Sequence, residues 1–143
     1  MFSQTAEYAL RAVVSLAYRN GNPATTRELG DDTRVPVNYL SKVLQGLVKK
    51  GVVHSKRGLH GGFVLAVPVE KLSMLDVINA VEPLTTLDSC PLSIEHHKSQ
   101  LCPLHRRLNK TISQLKETLA LSNIKDLLEE DPDRKPLCEL RNP

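Results

Sequence analysis

Residues 35–66, VPVNYLSKVLQGLVKKGVVHSKRGLHGGFVLA, combine a helical pattern with a glycine-rich, basic hairpin pattern. The first half has apolar residues at i, i+3, i+4, i+7 and i+8, which is typical of a helix with one buried face. These residues are Leu40, Val43, Leu44, Leu47 and Val48. The second half predicts two short strands around glycines 58, 61 and 62, which permit a tight turn. We therefore predict a helix that ends at Gly51, followed by a β-hairpin.

The flanking segments predict further helices. Upstream, SQTAEYALRAVVSLAYRNG predicts a helix over residues 3–20, capped by Ser3, and Thr25 with Glu28 fits a capping box for a short helix to Thr33. Downstream, SMLDVINAVEP predicts a helix that starts at Ser73 and stops before Pro83. Helix, short helix, turn, helix and hairpin is the order of a winged helix-turn-helix. We predict a mainly α fold with a small β-hairpin wing.

The charge is unevenly distributed along the 143 residues, although the formal net charge is only +3. Residues 33–69 contain no Asp or Glu but six Lys or Arg and two His, whereas from residue 70 onward twelve acids outnumber ten Lys and Arg. Such a basic block is typical of a polyanion-binding surface, and a solvated basic face is the alternative. The predicted helix offers Asn38, Tyr39, Ser41 and Lys42 to a major groove. The hairpin offers Arg57 and Gly58 to a phosphate or a minor groove.

The C-terminal part predicts a dimerisation helix. From Pro103, the leucines and isoleucine at 104, 108, 112, 115 and 119 form one apolar seam over about five turns. An apolar seam of this length is expected to pack against a second copy of the chain. We also expect it to pack against the first helix of its own chain. A short final helix is predicted after Ser122 as its cap. The predicted division is 1–82 for the DNA-binding domain, 83–102 for a sensor loop, 103–130 for the dimerisation helices and 131–143 for a polar tail.

No feature predicts a membrane or an enzyme. No apolar run approaches the ~20 residues of a spanning helix, and the start lacks the apolar run of a secretory signal. No nucleotide-binding glycine loop and no nucleophile beside a base is evident. We therefore expect a cytoplasmic protein without a membrane partner, in which reduced cysteines serve as ligands or redox sensors. A module that binds a metabolic enzyme through the same fold is the alternative to a DNA-binding protein.

The sensor loop concentrates candidate ligands in DSCPLSIEHHKSQLCPLH, residues 88–105. These candidates are Cys90, His96, His97, Cys102 and His105, of which we expect His97 to be solvated. The sequence leaves four explanations for this loop. Three of them use the candidate ligands: an iron–sulfur cluster, a cluster-free thiol pair that forms a disulfide, and a zinc ion held by two Cys and two His. In the fourth, the thiols are inert and a protein partner regulates the chain. Cys138, in the tail, is predicted to be a free thiol without a role.

The chain resembles the Rrf2 family of winged-helix transcription regulators, which includes IscR, NsrR and CymR types. The resemblance covers residues 1–130 and rests on EYALRAVVSLA, on residues 35–66, on DVINAVEP and on CPLHRRL. It implies a homodimeric repressor that binds palindromic operators in double-stranded DNA. By position, the family's DNA contacts fall on residues Asn38, Tyr39, Ser41, Lys42, Arg57 and Gly58.

The resemblance also implies a sensor site, because many members carry an iron–sulfur cluster beside the dimer helix. Those members usually present three cysteines as C-x5-C-x5-C. Here Cys90 and Cys102 match the first and third, and His96 stands in the middle. His105 matches a histidine ligand of some members, and Glu7 matches a carboxylate that others supply from the partner subunit. The implied cofactor is a 2Fe–2S cluster that senses redox state, nitric oxide or iron–sulfur supply.

Overall fold

The computed structural model describes residues 2–97 and 100–137. Within these residues it contains six α-helices and two strands. They are α1 (Gln4–Tyr18), α2 (Thr26–Thr33), α3 (Val37–Lys49), β1 (Val53–Lys56), β2 (Gly62–Leu65), α4 (Met74–Val81), α5 (Pro103–Leu121) and α6 (Ile124–Glu129). This order confirms the predicted winged helix-turn-helix with a long C-terminal helix. The prediction for Cys138 falls outside the described residues.

The core is aliphatic and is formed mainly where α1, α2 and α3 meet. The fully buried leucines of α2 and α3 are Leu29, Leu40, Leu44 and Leu47, and they pack in one cluster with Ala9, Ala12, Val13, Leu16 and Ala17 of α1. Val48 was expected on the buried stripe of α3, but it is 38% exposed. The stripe is narrower than predicted because position i+8 lies at its edge, where no neighbouring element covers it.

The α1–α2 pair is also held by a polar contact. The hydroxyl of Ser15, which is fully buried, donates to Oδ2 of Asp32 at 2.8 Å. Nη2 of Arg19 lies 2.9 Å from the same carboxylate oxygen, so α1 supplies both partners of this α2 side chain. A buried hydroxyl with a hydrogen-bond partner avoids the cost of an unsatisfied polar group.

The helix starts are capped largely as predicted. Ser3 caps α1, and Thr25 and Glu28 form the predicted capping box on α2. The backbone N–H of Thr25 donates to Glu28 Oε2, and this bond, with that of the Thr25 hydroxyl, holds the pKa of Glu28 below its usual range. The box therefore contributes stability above the ordinary glutamate pKa, and this contribution is lost as the pH falls through the lowered value.

The start of α6 differs from the prediction. Asn123, not Ser122, is its N-cap, and the Asn123 side chain accepts from the backbone N–H of Asp126 at 2.8 Å. The hydroxyl of Ser122 instead donates to the carbonyl of Thr118 in the last turn of α5. Both residue types cap well, and the helix begins one residue later because the turn from α5 requires Ser122 to end that helix.

The turn between α2 and α3 contains a left-handed residue. Arg34 has φ 55° and ψ 35°, and it lies between Thr33, which is fully buried, and Val35, which is 3% exposed. For a residue with a Cβ this conformation costs roughly 1–2 kcal/mol relative to the right-handed region. The turn therefore depends on its two buried neighbours, which hold the chain on either side of Arg34.

The hairpin is attached to the helical core through both strands: Val53 of β1 is 1% exposed in the main core, and β2 is bonded to a neighbouring linker. β1 and β2 pair antiparallel from Val53↔Leu65 to Lys56↔Gly62, which confirms the two short strands predicted around the glycines. On its other side, β2 pairs with the linker between α1 and α2: the N–H of Phe63 donates to the carbonyl of Ala24 at 2.7 Å, and the N–H of Ala24 donates back at 3.0 Å. The wing therefore has a fixed position beside α3.

The C-terminal helices return to the same core. Leu119, near the end of α5, is 6% exposed and packs with Ala6 of α1 and Ile78 of α4. Ile124 at the start of α6 is fully buried in the main core. This confirms the expected packing of α5 against the first helix, although it involves only one end of α5. Within the described residues, no helix is long and apolar enough to cross a membrane.

The attachment of the wing predicts that Gly62 tolerates no side chain. Gly62 has φ 152°, and a Cβ at this position would lie 2.5 Å from the carbonyl oxygen of Ala24. Gly51 also has a positive φ, 73°, but a Cβ there meets open space. We expect Gly51→Ala to lower the free energy of unfolding by about 1 kcal/mol from backbone strain alone. We expect Gly62→Ala to cost a further ~1–3 kcal/mol because the backbones must separate.

Urea unfolding followed by circular dichroism measures this difference. If Gly51→Ala and Gly62→Ala lower the free energy of unfolding equally, the contact between β2 and the Ala24 linker does not stabilise the fold.

Candidate nucleic-acid interface and sensor loop

The outer face of α3 is exposed and carries most of the predicted base-reading residues. Asn38, Tyr39 and Lys42 are exposed, because the opposite face of α3 is buried in the core. Ser41 is half-buried, and its hydroxyl donates to the carbonyl of Val37 at 2.9 Å. Its hydroxyl is therefore already used within the helix, unlike the side chains of Asn38 and Lys42.

One residue of this face was missed by the sequence analysis. Gln45 is exposed and lies three residues after Lys42 and seven after Asn38, which places it on the same side of α3. The spacing 38, 42, 45 was available in the sequence and could have identified it. An amide at this position adds a donor and an acceptor to the face.

Tyr39 also contacts α1. Its ring lies 6.4 Å from that of Tyr8, at an interplanar angle of 60°, and the guanidinium of Arg11 lies 5.8 Å from the centre of the Tyr8 ring. Edge-on aromatic pairs and cations near a ring face are both favourable contacts. Tyr39 remains 53% exposed, so the contact orients its ring without removing it from the surface.

The wing presents basic and apolar side chains at its tip. Arg57 and His60 are exposed, Gly58 has φ 119°, and Leu59 is 96% exposed. The two ion pairs that join described side chains, Glu7 with Arg11 and Arg19 with Asp32, lie outside residues 33–69. The cations of the acid-free segment are therefore not neutralised by carboxylates of the described part of the chain.

The first half of the sensor loop is fixed to the helices by two asparagines. Asn109 of α5 accepts from the N–H of Leu87 at 2.8 Å and donates to the carbonyl of Leu87 at 2.7 Å. Asn79 of α4 accepts from the N–H of Leu84 at 3.0 Å. Side-chain amides that satisfy a loop backbone in this way compensate for its missing secondary structure. The sequence analysis assigned neither asparagine a role.

The two cysteines of the loop differ in exposure. Cys90 is 7% exposed, whereas Cys102 is partly exposed and forms the N-cap of α5. The sulfur of Cys102 lies 3.3 Å from Nδ1 of His105, one turn into the helix. Of the predicted ligands, the structure thus brings Cys102 and His105 together.

The remaining predicted ligands are arranged differently. Glu7 is exposed on α1, and Oε1 lies 3.1 Å from Nε of Arg11. His96 is exposed on a single 3₁₀ turn, Glu95–His97. His97, expected to be solvated, is half-buried, and its Nδ1 is buried without a hydrogen-bond partner among the described residues. Adjacent residues of a turn face different directions, and the chain places His97, not His96, toward the interior.

The described residues of a single chain do not complete a metal site in this conformation. A 2Fe–2S cluster and a structural zinc ion each require four ligands. Among residues 2–97 and 100–137, no three His, Cys, Asp or Glu side chains converge on a point that could hold a metal ion. Cys102 and His105 are the part of the predicted donor set that lies together, so either group would require the loop to rearrange and a further ligand to join them.

The N-terminal half of α5 has an uncovered apolar face. Leu104 is 62% exposed, Leu108 47% and Leu115 37%, whereas Leu119 at the other end of the seam is buried. Among the described residues the seam is thus only partly covered, with Ile112 half-buried and Leu119 buried. Contiguous exposed leucines on a helix are typical of a protein–protein contact.

Known proteins resemble this chain over most of its length. The sequence profile of Rrf2, described as an iron-dependent transcriptional regulator, matches residues 2–130. A putative HTH-type transcriptional regulator of Aquifex aeolicus is 31% identical over 132 residues, which cover 90% of this chain and 91% of that protein. The HTH-type transcriptional regulator NsrR of Bacillus licheniformis is 30% identical over 125 residues, which cover 85% of this chain and 87% of that protein.

Two solved structures share the fold. IscR of T. potens superposes with a TM-score of 0.76 at 21% identity, over 95% of this chain and 92% of that one. CymR, the global cysteine regulator of B. subtilis, superposes with a TM-score of 0.72 at 24% identity, over 92% of this chain and 98% of that one. At 21% and 24% sequence identity, these superpositions show that the chains share a fold, and they carry no information on what this chain binds.

Proposed function

Because this chain belongs to the Rrf2 family of DNA-binding transcriptional regulators, we propose that it is a homodimeric, sequence-specific repressor that acts in the cytoplasm. The observation that carries the proposal is the exposed outer face of α3, which lies with the wing in a segment free of acids. A major groove admits a helix, and its base edges carry a full pattern of donors and acceptors. Cations without carboxylate partners are available for phosphates.

The proposed roles follow from side-chain chemistry and exposure. Asn38 and Gln45 are suited to bidentate contacts with base edges, and Lys42 to guanine or a phosphate. Tyr39, held by Tyr8, supplies a hydroxyl or a ring edge. At the wing, Arg57 is suited to a phosphate or a minor groove, and Gly58 lets the backbone approach. Ser41 remains a candidate contact: its hydroxyl proton is donated to its own helix, and its oxygen can still accept a hydrogen bond.

Dimerisation through α5 would supply the second reading helix. Two copies related by a two-fold axis bind a palindrome when their recognition helices lie about 34 Å apart, one turn of DNA. The exposed leucines of α5 support such a contact, since their burial against a second copy would remove apolar surface from water. The sensor loop ends at the start of α5, so a change in the loop would reach the dimer contact directly.

We propose two candidate forms of regulation at this loop. In the first, an iron–sulfur cluster is held by Cys90, Cys102 and His105, with Glu7 of the partner subunit or a loop histidine as the fourth ligand. The family description as an iron-dependent regulator supports this form. In the second, Cys90 and Cys102 form a disulfide without a cluster, a form supported by the partial exposure of the Cys102 thiol to an oxidant. Zinc and a regulatory protein partner are the further alternatives.

DNA reading predicts distinct effects for two substitutions. Arg57→Ala should weaken binding to any duplex and reduce the salt slope by about 1 per arginine, because a phosphate contact is lost. Asn38→Ala should lower discrimination at one base position by about 1–3 kcal/mol with little change in slope. Fluorescence anisotropy over a salt series, on a selected operator and a scrambled duplex, measures both effects.

Lys71→Ala is the control. It removes an exposed lysine outside the acid-free segment and should change neither the affinity nor the salt slope. Unchanged binding in the first two variants would exclude this surface.

Dimerisation predicts that a charge on the α5 seam separates the subunits. Leu108→Glu should give monomers in sedimentation equilibrium with unchanged helical content, because Leu108 is 47% exposed in the single chain. Ser113→Glu adds the same charge on an exposed position away from the seam and should leave a dimer. A dimer that survives Leu108→Glu would assign the contact to another surface.

The cluster form predicts colour and iron in protein purified without oxygen. Cys102→Ser should lose both, because thiolates are the preferred ligands of such clusters. If the buried Nδ1 of His97 binds iron, His97→Ala should reduce the iron content more than His96→Ala does. Iron-free protein that loses two mass units on oxidation would instead support the disulfide form. Zinc in elemental analysis would support the zinc alternative, and the absence of all three would favour a protein partner.

A further inference from the structure

The turn before α3 contains a residue in a backbone conformation that is costly for its type. Within residues 25–66 of the described chain, Arg34 is the only non-glycine residue with a positive φ. Glycine adopts this conformation without a steric penalty and is the usual residue where a helix ends in it. A costly backbone conformation at a residue other than glycine indicates that the side chain of that residue makes a favourable contact.

The folded chain does not supply that benefit. Arg34 is exposed, and its buried neighbours Thr33 and Val35 leave its side chain on the surface. No ion pair or hydrogen bond between described side chains engages its guanidinium. Asp31, an exposed carboxylate three residues earlier, forms no ion pair with it, and Asp32 is occupied by Ser15 and Arg19.

The position of Arg34 indicates what the side chain could contact. It lies four residues before Asn38, at the end of α3 that presents the candidate base-reading residues. It also lies at the start of the acid-free segment, so the cations that follow it share its preference for a polyanion. Phosphate contacts from residues beside a reading helix fix the position of that helix in the groove.

We infer that Arg34 binds a DNA phosphate at the edge of the groove that α3 enters, and thereby sets the depth and register of α3. This inference rests on the proposed DNA-binding function. The left-handed turn directs the guanidinium away from the core, and the strain of that turn is compensated only in the complex. Arg34 is thus a positioning residue, and the bases are read by other side chains.

The test uses substitutions that separate stability from binding. Arg34→Gly should raise the melting temperature by about 2–4 °C, because the turn is relaxed. The same variant should weaken binding to a mixed-sequence duplex about fivefold to tenfold per arginine at 0.1 M salt, with a salt slope lower by about 1. Arg34→Gln should weaken binding equally without the gain in melting temperature. Arg34→Lys should retain most of the affinity.

Asn20→Gly is the matched control. Asn20 also has a positive φ, 48°, but lies after α1 and outside the acid-free segment. Its replacement should leave duplex affinity unchanged. Unchanged affinity in Arg34→Gly, or a fall in both stability and affinity, would overturn the assignment, because the arginine would then be idle or purely structural.

The result also distinguishes this inference from the function on which it rests. Wild-type protein whose duplex affinity does not depend on salt would overturn the DNA-binding proposal itself. Salt-dependent binding that is weakened by Arg57→Ala but not by Arg34→Gly would overturn only the role of Arg34.

Discussion

The paired backbone hydrogen bonds between Ala24 and Phe63 connect the wing to the helices that hold α3. They join the α1–α2 linker to β2 as an isolated bridge, so the wing is held to the same core as α3. A two-stranded hairpin alone is marginally stable in water. Together with the burial of Val53 in the main core and the hydrogen bond from the N–H of Val52 to the carbonyl of Leu47, this attachment holds the wing beside α3.

A second set of contacts connects that unit to the C-terminal half. Leu119 holds one end of α5 against α1 and α4, while Asn109 holds the sensor loop against the middle of α5. The loop therefore touches the helix that leaves the domain, and the same helix touches α1, from which Glu7 and Tyr8 project. A rearrangement of the loop has a short physical route to α3 through packed side chains, as coupling between sites requires.

The features predicted correctly from the sequence are those that local physics determines. Helical periodicity and the capping pairs at Thr25 and Ser73 depend on residues within one or two turns, and all of these were confirmed. The structure differs from the prediction where contacts with other elements determine the local conformation or exposure. Neighbouring elements leave Val48 uncovered, the turn from α5 moves the α6 cap to Asn123, and the fold of the loop turns His97 inward. The left-handed backbone of Arg34 carries no sequence signal, because the expected signal would have been glycine.

The unequal exposure of Cys90 and Cys102 gives the two thiols different access to solvent. A reagent in solution reaches the partly exposed sulfur of Cys102 more readily than that of Cys90, which is 7% exposed. Greater access to Cys90 would require local opening of the loop, and the hydrogen bonds between Leu87 and Asn109 oppose such opening. Two cysteines of the same loop would therefore be modified at different rates.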